Sequence, residues 1–189
     1  DVLVISNTID NDPKGKFLKD AFRVENHFEN RFVDDLVEHQ KKQKRDEMNT
    51  ALLILDDIIS KDFKKTTSNS INSLATRFRH YELSMMIFTQ SFRAVSTMIR
   101  SNATDIMIFR QQSSKEMEKI IEEYSDLCGS DELFQKYYDI AMSEPYSYLY
   151  IDVQQNPSHF YKSFEELIGI GNQLMYKGKV PTKEKNVFE

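Results

Sequence analysis

The chain has 189 residues, enough for one α/β domain of ordinary size, and 40% of them are hydrophobic, enough for a sizeable core. Charged residues make up 29% and the net charge is −5, which excludes a uniformly basic nucleic-acid binder but not a local basic patch. A single cysteine, Cys128, excludes an internal disulfide framework and points to an intracellular setting.

The chain opens without Met on the apolar run Val2-Leu3-Val4-Ile5, and no secretory h-region precedes it. Residue 1 is therefore expected to be an artificial or processed start inside a larger protein. No apolar run approaches the roughly 18 residues needed to cross a bilayer. Residues 2–6 are predicted to form a buried strand. Phe28, Phe32, Val33, Leu36 and Val37 then share one face of a helix, which turns polar at Lys41, Lys42, Lys44 and Arg45. A second short apolar run, 52–55, predicts a strand, and 64–73 reads as a polar loop. Ile71, Leu74, Ala75 and Phe78 form the next helical stripe. Strands follow at 84–89 and 106–109, helices on Met117, Ile120 and Ile121 and on Leu133, Tyr137 and Ile140, and a strand at 146–151. A last helix is predicted over 163–175, carrying Phe164, Leu167 and Ile168, before a polar tail. Strands alternating with helices imply an α/β fold whose mostly parallel sheet is covered on both faces, with ligands beyond the carboxyl ends of its strands.

Those strand ends carry the informative residues. Leu52-Leu53-Ile54-Leu55-Asp56-Asp57 places two carboxylates at the tip of a buried strand. Adjacent strand residues point in different directions, so one carboxylate can hold Mg²⁺ through its water shell while the other orients or deprotonates an attacking water. This is the Walker B arrangement. The bland alternative is that Asp simply favours turns. Ser84-Met85-Met86-Ile87-Phe88-Thr89-Gln90 is a second strand tipped by an amide suited to sensing a γ-phosphate. Arg77, Arg79, Arg93, Arg100 and Arg110 cluster around it, and guanidinium groups suit phosphates, although a lone arginine is more commonly in a surface ion pair. His27, His39, His80 and His159 are scattered, so no zinc site is expected, and Cys128 has no evident base.

The ordered set Leu52–Asp57, Arg79-His80-Tyr81, Ser84–Gln90, Ile99-Arg100-Ser101-Asn102 and Ile106–Arg110 resembles the FtsK–HerA superfamily of P-loop ATPases. It is most similar to the genome-packaging ATPases of large DNA viruses, over roughly residues 1 to 155. The resemblance implies a RecA-like core and ATP and Mg²⁺ as ligands. It implies Asp56 as the Mg²⁺-associated aspartate and Asp57 in the place of the catalytic acid, where Glu is commoner. It also implies Gln90 as the sensor, and Arg79 or Arg100 as an arginine finger acting on a neighbouring subunit. The implied partners are double-stranded DNA, further copies in a homo-oligomeric ring, and a capsid or portal component. The implied location is the host cytoplasm or viral factory, with virion association.

One family feature is absent from the sequence. No G-x-x-x-x-G-K-[ST] occurs, and Pro13-Lys14-Gly15-Lys16 and Gly178-Lys179 lack the two-glycine loop. The expectation is therefore an ATPase core at 1–155 whose P-loop strand and helix lie upstream, followed by a helix and tail at 156–189. The chain alone is expected to bind ATP poorly. Lys61, Lys64 and Lys65 offer a basic loop for DNA contact, or equally a solvated linker. The alternatives are a non-enzymatic scaffold on a degenerate ATPase fold, or a helicase or conjugation-type DNA pump.

Overall fold

The computed structural model describes residues 1–11, 13, 15–43, 49–57 and 70–178. They form two compact units, Asp1–Asn102 and Ala103–Glu189.

The first unit is built on a parallel sheet in the order β2-β1-β3-β4, from β1 (Val2–Ser6), β2 (Arg23–Glu25), β3 (Ala51–Asp56) and β4 (Leu83–Phe88). α1 (Gly15–Ala21) joins β1 to β2, and α2 (Asn30–Lys42) joins β2 to β3. α3 (Ser70–Ala75) and a 3₁₀ turn at Phe78–Tyr81 lead into β4, and α4 (Thr97–Ser101) follows it. The predicted apolar stripe of α2 holds: Phe32, Val33 and Leu36 are buried in one core with Leu3, Ile5, Leu53, Leu55, Ile71 and Leu74. Removing each such side chain from water contributes about 1.5–3 kcal/mol. Gln40, fully buried near the end of α2, donates through Nε2 to the carbonyls of Asn49 (2.8 Å) and Tyr81 (2.9 Å). That single amide ties the chain entering β3 to the chain entering β4, and so fixes where their carboxyl tips end.

The second unit differs from expectation. The strands predicted at 106–109 and 146–151 form, as β5 (Asp105–Ile108) and β6 (Leu149–Asp152), but they pair antiparallel and belong to a separate sheet. That sheet runs β5-β6-β7-β8-β9, with β7 (His159–Lys162), β8 (Glu166–Ile170) and β9 (Gln173–Leu174). The helix predicted over 163–175 is therefore absent. Ile168-Gly169-Ile170-Gly171 explains why, since each glycine costs a helix about 1 kcal/mol and Ile suits a strand. Gly169 also passes so close to Tyr137 that a Cβ there would lie 2.3 Å from the phenol oxygen, and Gly171 turns the hairpin at φ +51°. Among the described residues, 156–178 are thus no helical appendage. The expected boundary at 155 falls between β6 and its paired neighbour β7, and the units divide at Asn102 instead.

α5 (Ser114–Tyr124) and α6 (Asp131–Ala141) complete this unit, each opened by a serine that accepts a backbone N–H, Ser113 from Glu116 and Ser130 from Leu133. Phe134 and Tyr137 of α6 pack on Phe160 with ring centroids 6.4 and 4.8 Å apart.

Candidate active site

The parallel sheet brings its carboxyl tips level. Ser6 stands opposite Asp56, and Asp56 opposite Phe88, so the residues following β1, β3 and β4 emerge side by side. Asp56 is the last residue of β3 and shares a face with Val4, Ile54 and Met86, whereas Leu53 and Leu55 point into the core. Its Oδ2 accepts a hydrogen bond from Ser6 Oγ at 2.8 Å. Asp57 leaves the strand in the left-handed region, φ 47°, where a short Asp is tolerated better than most side chains. Its N–H donates to the Phe88 carbonyl at 3.3 Å, its carbonyl accepts from Asn7 Nδ2 at 3.5 Å, and its Oδ1 accepts from Gln90 Nε2 at 3.2 Å.

The two carboxylates are thus held from opposite neighbours, Asp56 from β1 and Asp57 from the turn after β4. That turn is fixed by Thr89, whose hydroxyl donates to the Ser91 carbonyl (3.0 Å) and accepts from the Ser91 N–H (3.2 Å). A primary amide carries two donors and an acceptor, so Gln90 can hold Asp57 and a water at once. Asp57 and Gln90 are both solvent-accessible, as groups that meet a substrate must be. Asp56 fits Mg²⁺, which binds through one or two carboxylates and otherwise keeps waters and substrate phosphates. No group of three or more His, Cys, Asp or Glu able to cage a metal occurs among the described residues.

Of the predicted arginines, Arg79 and Arg100 make other contacts within this unit. Arg79 lies in the 3₁₀ turn before β4, its guanidinium 5.4 Å from the Phe78 ring, at the amino end of a strand whose other end carries Gln90. Six strand residues put about 20 Å between them. Arg100 stacks on Phe92 (4.3 Å), donates to the Phe92 carbonyl (3.3 Å) and Thr97 Oγ1 (3.2 Å), and bonds the Val95 carbonyl as well. It is holding its own loop. Arg110 lies in the second unit, donating to the Met142 carbonyl at 2.6 Å beyond the end of α6. Lys61, Lys64 and Lys65 lie outside the described residues. No helix among the described residues is long and apolar enough to cross a membrane.

Sequence reading missed Ser6, Asn7 and Thr8. A hydroxyl at the end of an apolar run is a faint signal, and only the register shows that it faces Asp56.

The family model described as Poxvirus A32 protein matches residues 23–155. The uncharacterized protein 075L of Invertebrate iridescent virus 6 is 26% identical over 155 residues, 79% of this chain and 58% of that protein. The chain therefore spans a little over half the length of that relative. Among solved structures, the DNA-packaging ATPase B204 from Sulfolobus turreted icosahedral virus aligns with TM-score 0.59 at 18% identity, over 87% of this chain and 83% of its own. The genome-packaging NTPase B204 from Sulfolobus turreted icosahedral virus 2, solved in complex with ATP-gammaS, aligns with TM-score 0.57 at 20% identity, over 86% and 81%. At these identities the likeness is one of fold.

Proposed function

The chain belongs to the poxvirus A32 protein family, and from that premise we propose that the intact protein is a viral genome-packaging ATPase that hydrolyses ATP at the tips of β3 and β4 to move double-stranded DNA. The observation that carries the reading is the contact of Gln90 Nε2 with Asp57 Oδ1 at 3.2 Å, beside the separately held Asp56. Gln90 stands 33 positions after Asp57 in the chain, and the hydrogen bond between them supports reading the pair, with the adjacent Asp56, as one site.

The division of labour follows from the geometry. Asp57 accepts the proton of, or orients, the attacking water, and Gln90 fixes both the carboxylate and that water. Asp56 would hold Mg²⁺ through its water shell, and the ion would supply neutralisation of the charge developing on the phosphates. Phosphoryl transfer of this kind is accelerated mainly by positioning and electrostatics, which is what two independently anchored carboxylates provide.

The phosphate-binding loop is proposed to come from a strand and helix outside this chain. Two features of the first sheet support that. β2, one edge, is three residues long and carries Arg23 and Glu25, whereas β4, the other, is six residues without a charge. Native edges are usually short or charged, so β4 has the character of an interior strand. The face bearing Asp56 also exposes Met86 (40%) and Phe88 (45%), and parallel sheets are ordinarily covered on both sides. A strand paired with β4 would end beside Gln90. On this reading the 189-residue chain binds ATP weakly by itself.

Arg79, exposed and remote from Gln90 in its own subunit, is proposed to act in trans in a homo-oligomeric ring; Arg100, already engaged, is the weaker candidate. DNA contact is proposed for Lys61, Lys64 and Lys65, through phosphates rather than bases. A capsid or portal component and an intracellular location in the infected cell complete the proposal. The absence of a two-glycine loop from the sequence favours one other reading, a scaffold on a degenerate ATPase fold. The two separate in one assay on the intact protein. A packaging ATPase hydrolyses ATP faster when double-stranded DNA is added, and a scaffold shows neither hydrolysis nor a nucleotide-dependent rise in melting temperature.

A further inference from the structure

We propose that Ser6, backed by Thr8, is a positioning residue for the metal-associated carboxylate of Asp56. The inference rests on the ATPase reading above and adds a hydroxyl pair from β1 to it. Ser6 is 1% exposed, although it stands at the tip of a strand in a row of Val, Leu and Ile. A buried hydroxyl needs a partner, and this one finds two oxygens. Asp56 Oδ2 lies at 2.8 Å and Thr8 Oγ1 at 3.3 Å.

Proton counting orders the three groups. An ionised carboxylate only accepts, and a serine has one proton to give. The Ser6 proton therefore goes to Asp56, and Thr8 must donate to the Ser6 oxygen. Each bond in such a chain polarises the next, so Thr8 strengthens the hold that Ser6 has on Asp56. The Cβ–Cγ torsion of an aspartate is otherwise soft, with a broad two-fold well. One donor fixed on Oδ2 by a central strand removes that freedom and sets where the remaining lone pairs point. A divalent ion held through waters depends on that orientation, and outer-shell partners of this kind typically contribute about 10–100-fold to metal affinity or activity.

A purely structural Ser6 would act differently. Asp56 is only half-buried, so its charge keeps access to water when the serine is removed, and Ser6→Ala is nearly isosteric. The fold loses little; the metal loses an oriented ligand.

The test uses the intact protein with a non-hydrolysable ATP analogue and Mn²⁺, whose binding is read directly by electron paramagnetic resonance. Ser6→Ala is expected to raise the Mn²⁺ concentration for half-saturation about tenfold, with the melting temperature close to the parent's. Ser6→Thr keeps the hydroxyl on a strand position that favours β-branched residues and restores parental affinity. Thr8→Val gives a smaller loss, about two- to threefold, because it weakens the chain without breaking it. Parental affinity in a folded Ser6→Ala protein overturns the inference while leaving the ATPase reading intact, and so does equal loss in Ser6→Ala and Ser6→Thr. If the parent binds neither analogue nor Mn²⁺, the ATPase reading fails first and the role of Ser6 fails with it.

Discussion

The two units solve the same packing problem with opposite consequences. In Asp1–Asn102 the strands run parallel, so every carboxyl tip comes to one end and the polar residues there, Ser6, Asp56, Asp57 and Gln90, converge. In Ala103–Glu189 the strands alternate in direction, so no end collects like tips, and its polar groups close the fold instead. Arg110 bonds the Met142 carbonyl, the Tyr137 hydroxyl donates to the Gly171 carbonyl at 3.0 Å, and Lys162 pairs with Glu144. Parallel order concentrates chemistry, and antiparallel order disperses it. The same comparison explains why the acids of the first unit stay accessible while the large aromatics of the second, Phe134, Tyr137 and Phe160, are fully buried.

Changes that separate activity from stability sharpen the contrast. The largest effect is expected at Gln90→Ala, which should lower the steady-state ATP hydrolysis of the intact protein by about a hundredfold or more while leaving its melting temperature in place. Parental hydrolysis in that variant would break the assignment of the β4 tip. Next comes Phe160→Ala in the second unit. Deleting a fully buried aromatic costs about 3–5 kcal/mol, which denaturant titration reads as an early transition. The nucleotide affinity of the fraction still folded should be unchanged.

A smaller effect distinguishes the units by pH. Burial pushes the Tyr137 hydroxyl up to about 12. Because the folded state holds this proton more tightly than the unfolded chain, the associated stability is complete below pH ~10 and is lost as pH rises toward 12. Melting curves across that interval should fall more steeply for the parent than for Tyr137→Phe. The smallest change is kinetic. Cys128 is 2% exposed and its thiol is raised by burial, so alkylation near neutral pH should be slow until the second unit unfolds.

The sequence was a good guide where local pattern and burial agree. β1, β3 and β4 read as apolar runs because the interior of a parallel sheet is apolar, and Asp56, Asp57 and Gln90 stood out because polar residues end those runs. α2 was legible from Phe32, Val33 and Leu36, a stripe with a single periodic meaning. In 163–175, Phe164, Leu167 and Ile168 fit helical spacing, yet the segment forms strands β8 and β9. The deciding residue was Gly169, whose role depends on Tyr137, 32 positions earlier. Strand direction in the second sheet left no local trace, since an apolar run does not say which way its neighbour points. Ser6 was invisible for the same reason: its partner is 50 residues away, and only register joins them. The engagement of Arg100 by carbonyls of its own loop likewise depends on backbone geometry that composition does not carry.

Asp57 is proposed as the water-activating group of a hydrolytic site at the tips of β3 and β4. Single-turnover hydrolysis of ATP by intact Asp57→Ala protein, with binding measured on the same sample, tests it most directly. ATP binding close to the parent's is expected, with a chemical step slowed by about a hundredfold or more. Binding together with hydrolysis at the parental rate would contradict it.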